Sequence, residues 1–182
     1  MNYSEIKYFD IANGPGVRIS LFVSGCRKGC KNCFNRSAWD FNAGSLFDET
    51  VEAKIFEQLS KDYIKGITLL GGEPFEFENQ RGLLPFVRRL KKQFPTKNIW
   101  AFSGNTWEEL TSGPAHCEVT DELLSYVDVL VDGPFVQELY DISLRFRGSS
   151  NQRLLDVQKS LQVNCAVEWV DDPLYASHKL EK

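Results

Sequence analysis

Four short apolar runs, each stopping at a polar loop that carries glycine, set the strongest limit on how this chain can fold. They are Leu21-Phe22-Val23 before Ser24-Gly25-Cys26, Ile67-Thr68-Leu69-Leu70 before Gly71-Gly72-Glu73-Pro74, Ile99-Trp100-Ala101-Phe102 before Ser103-Gly104-Asn105, and Val127-Asp128-Val129-Leu130-Val131 before Asp132-Gly133-Pro134. Runs of this length and β-forming character read as buried parallel strands. Between them the spacing is helical. Asp48 is placed to cap a helix that puts Val51, Ile55, Leu59 and Tyr63 on one face and ends before Gly66. A second helix runs to about Phe94 and stops at Pro95, and Pro85 predicts that it starts shortly before that residue or kinks there. Thr106-Trp107-Glu108-Glu109 has the form of a capping box, and Thr120 followed by Asp121 and Glu122 signals another helix start.

Strands alternating with helices build right-handed βαβ units, and ligands of such folds bind at the C-terminal edge of the strands. All four glycine loops fall on that edge. A chain of 182 residues is too short for a closed eightfold barrel of about 250 residues. The expected fold is α/β: an incomplete, laterally open (β/α) barrel with parallel strands inside and helices outside. A doubly wound flat sheet ranks lower. One domain over residues 1–160 is expected, followed by a tail over residues 161–182 in which the pattern fades and Ser177-His178-Lys179-Leu180-Glu181-Lys182 frays.

The most chemically specific feature is the trio Cys26, Cys30 and Cys33, spaced C-x3-C-x2-C just after the first strand. A 4Fe-4S cluster ordinarily takes four thiolates, so three leave one iron open to a small molecule. Zinc is the alternative, but its sites usually gather ligands in pairs. The remaining candidates Cys117, Cys165, His116 and His178 are isolated. Five cysteines are an odd number and three of them crowd into one loop, which argues against disulfides, and Met1-Asn2-Tyr3-Ser4-Glu5-Ile6-Lys7 lacks the form of a secretory leader. A reducing, cytoplasmic setting is expected. Cys117 and Cys165 read as small core residues or spectators.

Net charge of −4 gives no general attraction to nucleic acid or an acidic membrane, and no apolar run approaches the roughly 18 residues of a membrane span. The basic cluster Arg88-Arg89-Leu90-Lys91-Lys92 falls among Leu83, Leu84, Val87, Leu90 and Phe94 at helical spacing, so it reads as a solvated helix face. Gly71-Gly72-Glu73-Pro74 lets backbone approach a ligand and offers carbonyls to an ammonium group; by itself it is also an ordinary strand-ending turn. Asp132 either orients a ligand or caps a turn, and Arg18, Arg145 and Arg147 are candidates to grip a carboxylate or a partner's chain.

Taken together, the cysteine loop and the Gly-Gly-Glu strand end resemble the radical S-adenosylmethionine superfamily. That resemblance implies that Cys26, Cys30 and Cys33 hold one 4Fe-4S cluster whose open iron binds S-adenosyl-L-methionine. It further implies that Asn32, Cys33, Phe34, Gly71, Gly72, Glu73, Pro74, Ser103 and Gly104 form the cofactor site, and that cluster and cofactor carry the chemistry without a protein acid or base. Asn32 stands where the superfamily often has an aromatic residue, and Phe34 flanks Cys33 on the other side.

Asn13-Gly14-Pro15-Gly16-Val17-Arg18, Cys33-Phe34-Asn35, Trp39, Asp128-Val129-Leu130-Val131-Asp132-Gly133 and Arg147-Gly148-Ser149-Ser150-Asn151-Gln152-Arg153 extend the likeness over residues 1–157. With these the chain resembles the glycyl-radical activases that serve anaerobic ribonucleoside-triphosphate reductase. The resemblance implies that reductase as protein substrate and an electron donor such as a reduced flavoprotein, with no nucleic acid or membrane partner. An activase of another glycyl-radical enzyme, a small-molecule radical enzyme, and a non-catalytic zinc or iron-sulfur protein are the alternatives. Physically, Arg147–Arg153 is only a polar turn.

Overall fold

All four apolar runs form strands, and the computed structural model, which describes residues 1–171, sets them side by side. The strands are β1 Asn2–Asp10, β2 Val17–Val23, β3 Ser45–Leu46, β4 Ile64–Gly71, β5 Asn98–Phe102, β6 Val129–Asp132 and β7 Arg153–Asp156. They join in one sheet of order β3-β1-β2-β4-β5-β6-β7. β2, β4, β5 and β6 run parallel. The flanks reverse: β1 is antiparallel to both β2 and β3, and β7 is antiparallel to β6. The sheet is therefore mixed rather than wholly parallel, and with β3 and β7 as its edges it is not closed into a barrel. Ser177–Lys182, including His178, lie outside the described residues.

Five helices, α1 Glu49–Leu59, α2 Phe77–Gln93, α3 Trp107–Thr111, α4 Thr120–Tyr126 and α5 Val157–Val163, complete the fold. Alternation along the strands explains where they go. Ile19, Leu21, Ile67, Leu69, Ile99 and Leu130 face one core, to which every helix contributes through Ile55, Leu83, Leu110, Leu123 or Val157. The opposite strand positions Trp100, Val129 and Val131 pack instead with Phe102, Phe146, Leu154 and Trp169. Helices on one face only exclude the doubly wound arrangement. They leave the other face of the sheet to loops.

Local signals behave as their chemistry requires, except at Pro85, at Tyr63 and in which residue caps α4, a helix that starts at Thr120 as expected. Asp48 accepts a 3.0 Å hydrogen bond from Val51 N at the start of α1, and Thr106 with Glu109 forms a complete capping box on α3. However, α2 begins at Phe77 and runs through Pro85. Pro85 is exposed, so the Arg81 carbonyl that it leaves unpaired lies one turn back on the same solvated face. Thr120 is already helical, Val119 occupies the cap, and the Thr120 hydroxyl donates to Gln80 Oε1 at 2.6 Å. Tyr63 falls beyond α1 and stacks on Phe9.

The basic helix face is paired acid by acid, Arg88 with Glu122, Arg89 with Glu52 and Lys91 with Asp128. Part of the expected tail is bound to the body of the protein: Trp169 packs edge-on against Trp100, and its N–H donates to Leu154 O. Among the described residues no helix is long and apolar enough to cross a membrane.

Candidate metal centre and cofactor cleft

The loop after β2 returns on itself because its two ends are pinned together. Gly25 N donates to Ala38 O at 2.7 Å and Cys26 N to Trp39 O at 3.1 Å, closing a loop that contains all three clustered thiols. Within it Cys33 N donates to Cys30 O, Asn35 N donates to Cys33 Sγ at 3.4 Å, and Asn32 adopts φ 56°, in the left-handed region that asparagine tolerates. The end of β4 then meets this loop backbone to backbone. Gly72 N reaches Val23 O at 2.7 Å and Glu73 N reaches Gly25 O at 2.8 Å. So close an approach excludes side chains: a Cβ on Gly72 would lie 2.5 Å from Gly25 O, and Gly71 adopts φ +111°.

These elements surround a cleft of about 600 Å³ lined by Cys26, Cys30, Asn32, Cys33, Phe34, Gly71, Gly72, Glu73, Ser103 and Gly104. Of the sequence-predicted site residues only Pro74 is not in the wall; it is buried behind it. Ala12, Asn13, Phe102, Phe135, Tyr140 and Gln152 supply other parts of the lining. The three thiols share the wall, although among the described residues no three His, Cys, Asp or Glu side chains stand ready in ligating geometry. Burial, with the Glu73 and Glu76 carboxylates and Cys30 nearby, pushes the Cys26 thiol up to about 11. A bound cation reverses that balance.

The donor set fits an iron-sulfur cluster. Soft thiolates suit iron and zinc alike, but Cys117 is engaged with Gln80, Cys165 is exposed and His116 contacts Asp121, and none of them lines the cleft. Ser24 Oγ and Asn35 Nδ2 are the buried side-chain polar atoms without a hydrogen-bond partner among the described residues. Both flank the cysteine loop.

Glu73 is 2% exposed and accepts three hydrogen bonds: Phe75 N and Ser103 Oγ on Oε1, both at 2.9 Å, and Gly104 N on Oε2 at 2.7 Å. It ties the end of β4 to the end of β5. Burial outweighs these donors and raises its pKa to about 7. Behind it, Asn79 Nδ2 donates to Ser24 O at 3.0 Å and Glu73 O at 2.9 Å, so α2 braces both ligand loops. Sequence reasoning missed Asn79. The available signal was a polar residue on the same α2 face as Leu83 and Leu90.

Two ambiguous groups resolve as structural. Asp132 is 1% exposed, accepts from Trp107 N at 2.7 Å and pairs with Arg153, so it caps α3. Arg18 is fully buried, donating to Thr68 Oγ1, Pro15 O, Ile67 O and Asn98 Oδ1; burial lowers its pKa to about 10. Arg145 pairs with Asp171, and Arg147 donates to Gln152 O from the cleft wall. The polar turn is a clasp: Gln152 Oε1 accepts from Gly148 N and Ser149 N, Gln152 Nε2 donates to Gly133 O, and Asn151 Nδ2 donates to Pro134 O.

Comparison with known proteins agrees with this construction. Residues 12–155 match the family model of a 4Fe-4S single cluster domain. A protein of Haemophilus influenzae named anaerobic ribonucleoside-triphosphate reductase-activating protein is 45% identical over 154 residues, covering 84% of this chain and 96% of its own length. The proteins of the same name from Escherichia coli K12 and from enterobacteria phage T4 are 44% and 40% identical, over 84% and 85% of this chain and 96% and 93% of their own. By the three-thiol cleft, the matching cluster domain and these near full-length likenesses, the chain belongs to the family of anaerobic ribonucleoside-triphosphate reductase-activating proteins.

Proposed function

We propose that this chain holds one 4Fe-4S cluster through Cys26, Cys30 and Cys33, binds S-adenosyl-L-methionine across the β4 and β5 ends, and generates a glycyl radical in anaerobic ribonucleoside-triphosphate reductase. Cys26, Cys30 and Cys33 would hold the cluster, which would supply one electron for reductive cleavage of the cofactor's sulfonium C–S bond to methionine and 5'-deoxyadenosine, the added hydrogen coming from the glycine. The observation that carries this reading is the convergence of three thiols, a side-chain-free strand end and the Ser103-Gly104 loop on one cleft.

The chain's own contribution is positioning. Gly72 N and Glu73 N are engaged by Val23 O at the end of β2 and by Gly25 O at the start of the cysteine loop, so the strand end offers the cleft acceptors, which suits an ammonium group. Glu73 adds negative charge beside it. Asn32, Cys33 and Phe34 present the loop's far side, and Phe102 and Phe135 provide apolar wall that limits water. We assign the incomplete-barrel type of the radical S-adenosylmethionine superfamily to this open sheet, residues 1–160 to the activase unit, a reduced flavoprotein to electron delivery, and a reducing cytoplasm to the reaction.

Anaerobic reconstitution with iron and sulfide tests the proposal. The loaded protein is expected to hold about four irons, to release 5'-deoxyadenosine on reduction, and to produce a glycyl radical signal in the reductase by electron paramagnetic resonance. Cys30→Ala is expected to lose cluster and product together. A fully loaded, active Cys30→Ala protein, or a chain that retains zinc without sulfide, overturns it.

A further inference from the structure

Next to the cleft, the turn over residues 137–142 carries three large apolar side chains that the fold does not cover: Leu139 is 43% exposed, Tyr140 53% and Ile142 87%. They are not outward because the segment is loose. Ser150 N donates to Leu139 O, Asp141 N donates to Gly148 O, Tyr140 bridges Ser149, and Phe135 meets the Tyr140 ring edge-on. A backbone tied down on this scale holds its side chains at the surface, against a cost in exposed apolar area. Across the cleft Phe34 is 85% exposed. Phe34 and Tyr140 both line the cleft, and Lys31 of the cysteine loop reaches Glu138 of the turn at 3.1 Å, so the two apolar lips face one mouth. That link is an exposed ion pair, of the kind that holds little energy and parts readily.

We propose that this apolar lip, Leu139, Tyr140 and Ile142 with Phe34 opposite, is the docking site for the reductase segment that presents the glycine, an extended peptide with apolar side chains beside that glycine. The inference rests on the function proposed above. A hydrogen atom can be taken only from a group brought into the cleft, so the glycine-bearing segment has to cross this mouth. The partner named for the relatives is a protein, and an extended glycine segment has little affinity without neighbouring side chains to bury. The other exposed aromatic pair, Phe9 and Tyr63, stacks on itself.

The test uses the reconstituted, reduced protein with S-adenosyl-L-methionine and purified reductase. Leu139→Ser and Ile142→Ser, singly and together, leave the thiol loop and both glycine strand ends untouched. For the double variant the reductase concentration giving half-maximal glycyl radical is expected to rise about tenfold or more, while iron content and 5'-deoxyadenosine released without reductase stay within about twofold of wild type. Ile142→Leu is expected to restore most of the loss. An unchanged half-maximal concentration in fully loaded variants overturns the docking assignment, and so does a loss confined to the uncoupled reaction. Failure of wild type to release 5'-deoxyadenosine strikes the proposed function itself, separately from the lip.

Discussion

The two halves of the cleft are held together by different means. On the β2–β4 side the cysteine loop and the strand end are joined backbone to backbone, Gly72 N to Val23 O and Glu73 N to Gly25 O, at separations where no side chain fits. On the β6–β7 side the strand pairing and backbone bonds such as Ser150 N to Leu139 O are supplemented by side chains: Gln152 to the backbone of residues 133, 148 and 149, Asn151 to Pro134, and Arg153 to Asp132 and Glu108. Backbone-stapled walls are rigid and intolerant of added atoms. Side-chain clasps can be weakened one bond at a time. The half that carries the thiols is thus held at fixed separation by main chain, and the half that carries the apolar lip adds side-chain links, those of Gln152 and Asn151, that single substitutions can remove.

Gly71→Ala is the strongest test of this contrast. Gly71 adopts φ +111°, and an added Cβ would meet Phe22 backbone at 2.7 Å, where only main chain is available to move. A loss of about 3 kcal/mol or more in unfolding free energy is expected from urea titration of the apoprotein. A tolerated substitution would show that the thiol side is not backbone-limited.

Glu73 joins the halves and is expected to have the next largest effect, through pH. Its folded pKa of about 7 lies above the ordinary 4.5, so folding at pH 5 buries a largely neutral carboxyl, whereas folding at pH 8 buries a charge. Stability from this group is fully present below pH 4.5 and is lost as pH rises through 7. The difference in apoprotein unfolding free energy between wild type and Glu73→Gln is therefore expected to move by about 2–3 kcal/mol against wild type from pH 5 to pH 8. A pH-independent difference would mean that the three donors outweigh burial.

Gln152→Ala sharpens the other side and is expected to be the smallest of the three. Removing its amide leaves Gly148 N, Ser149 N and Gly133 O without that partner, and with Ser149 buried about 1–2 kcal/mol of stability is expected to go. Faster protease cleavage within residues 134–148 would report the opened clasp. A Gln152→Ala loss greater than that of Gly71→Ala would erase the distinction between the halves.

Legibility followed the range of the interactions. The four parallel strands, their glycine ends, the Asp48 cap and the Thr106 capping box were readable because each depends on residues a few positions apart. β1 was overlooked although residues 5, 7 and 9 are exposed and their neighbours are not; that alternation is short and mixes tyrosine, serine and charge. β7 has only four residues, and it begins at Arg153, the last residue of the stretch that reads as a polar turn. Pro85 misled about α2 because a proline's cost depends on whether its side of the helix faces water, which spacing alone does not reveal.

In the site, residue type and interval singled out the thiol trio, whereas the Gly71-Gly72-Glu73 strand end joined it only through the family resemblance; the structure brings both to one cleft. Type and interval were silent on the role of each polar side chain. That Glu73 bonds Ser103 and Gly104, that Asn79 braces Ser24 and Glu73, that Asp132 caps α3 and that Gln152 closes the clasp all depend on strand order. Propensity and spacing act over one or two turns of chain. Partners such as Asn79 and Ser24, 55 residues apart, meet only once the sheet has been assembled, so their identity belongs to the tertiary structure.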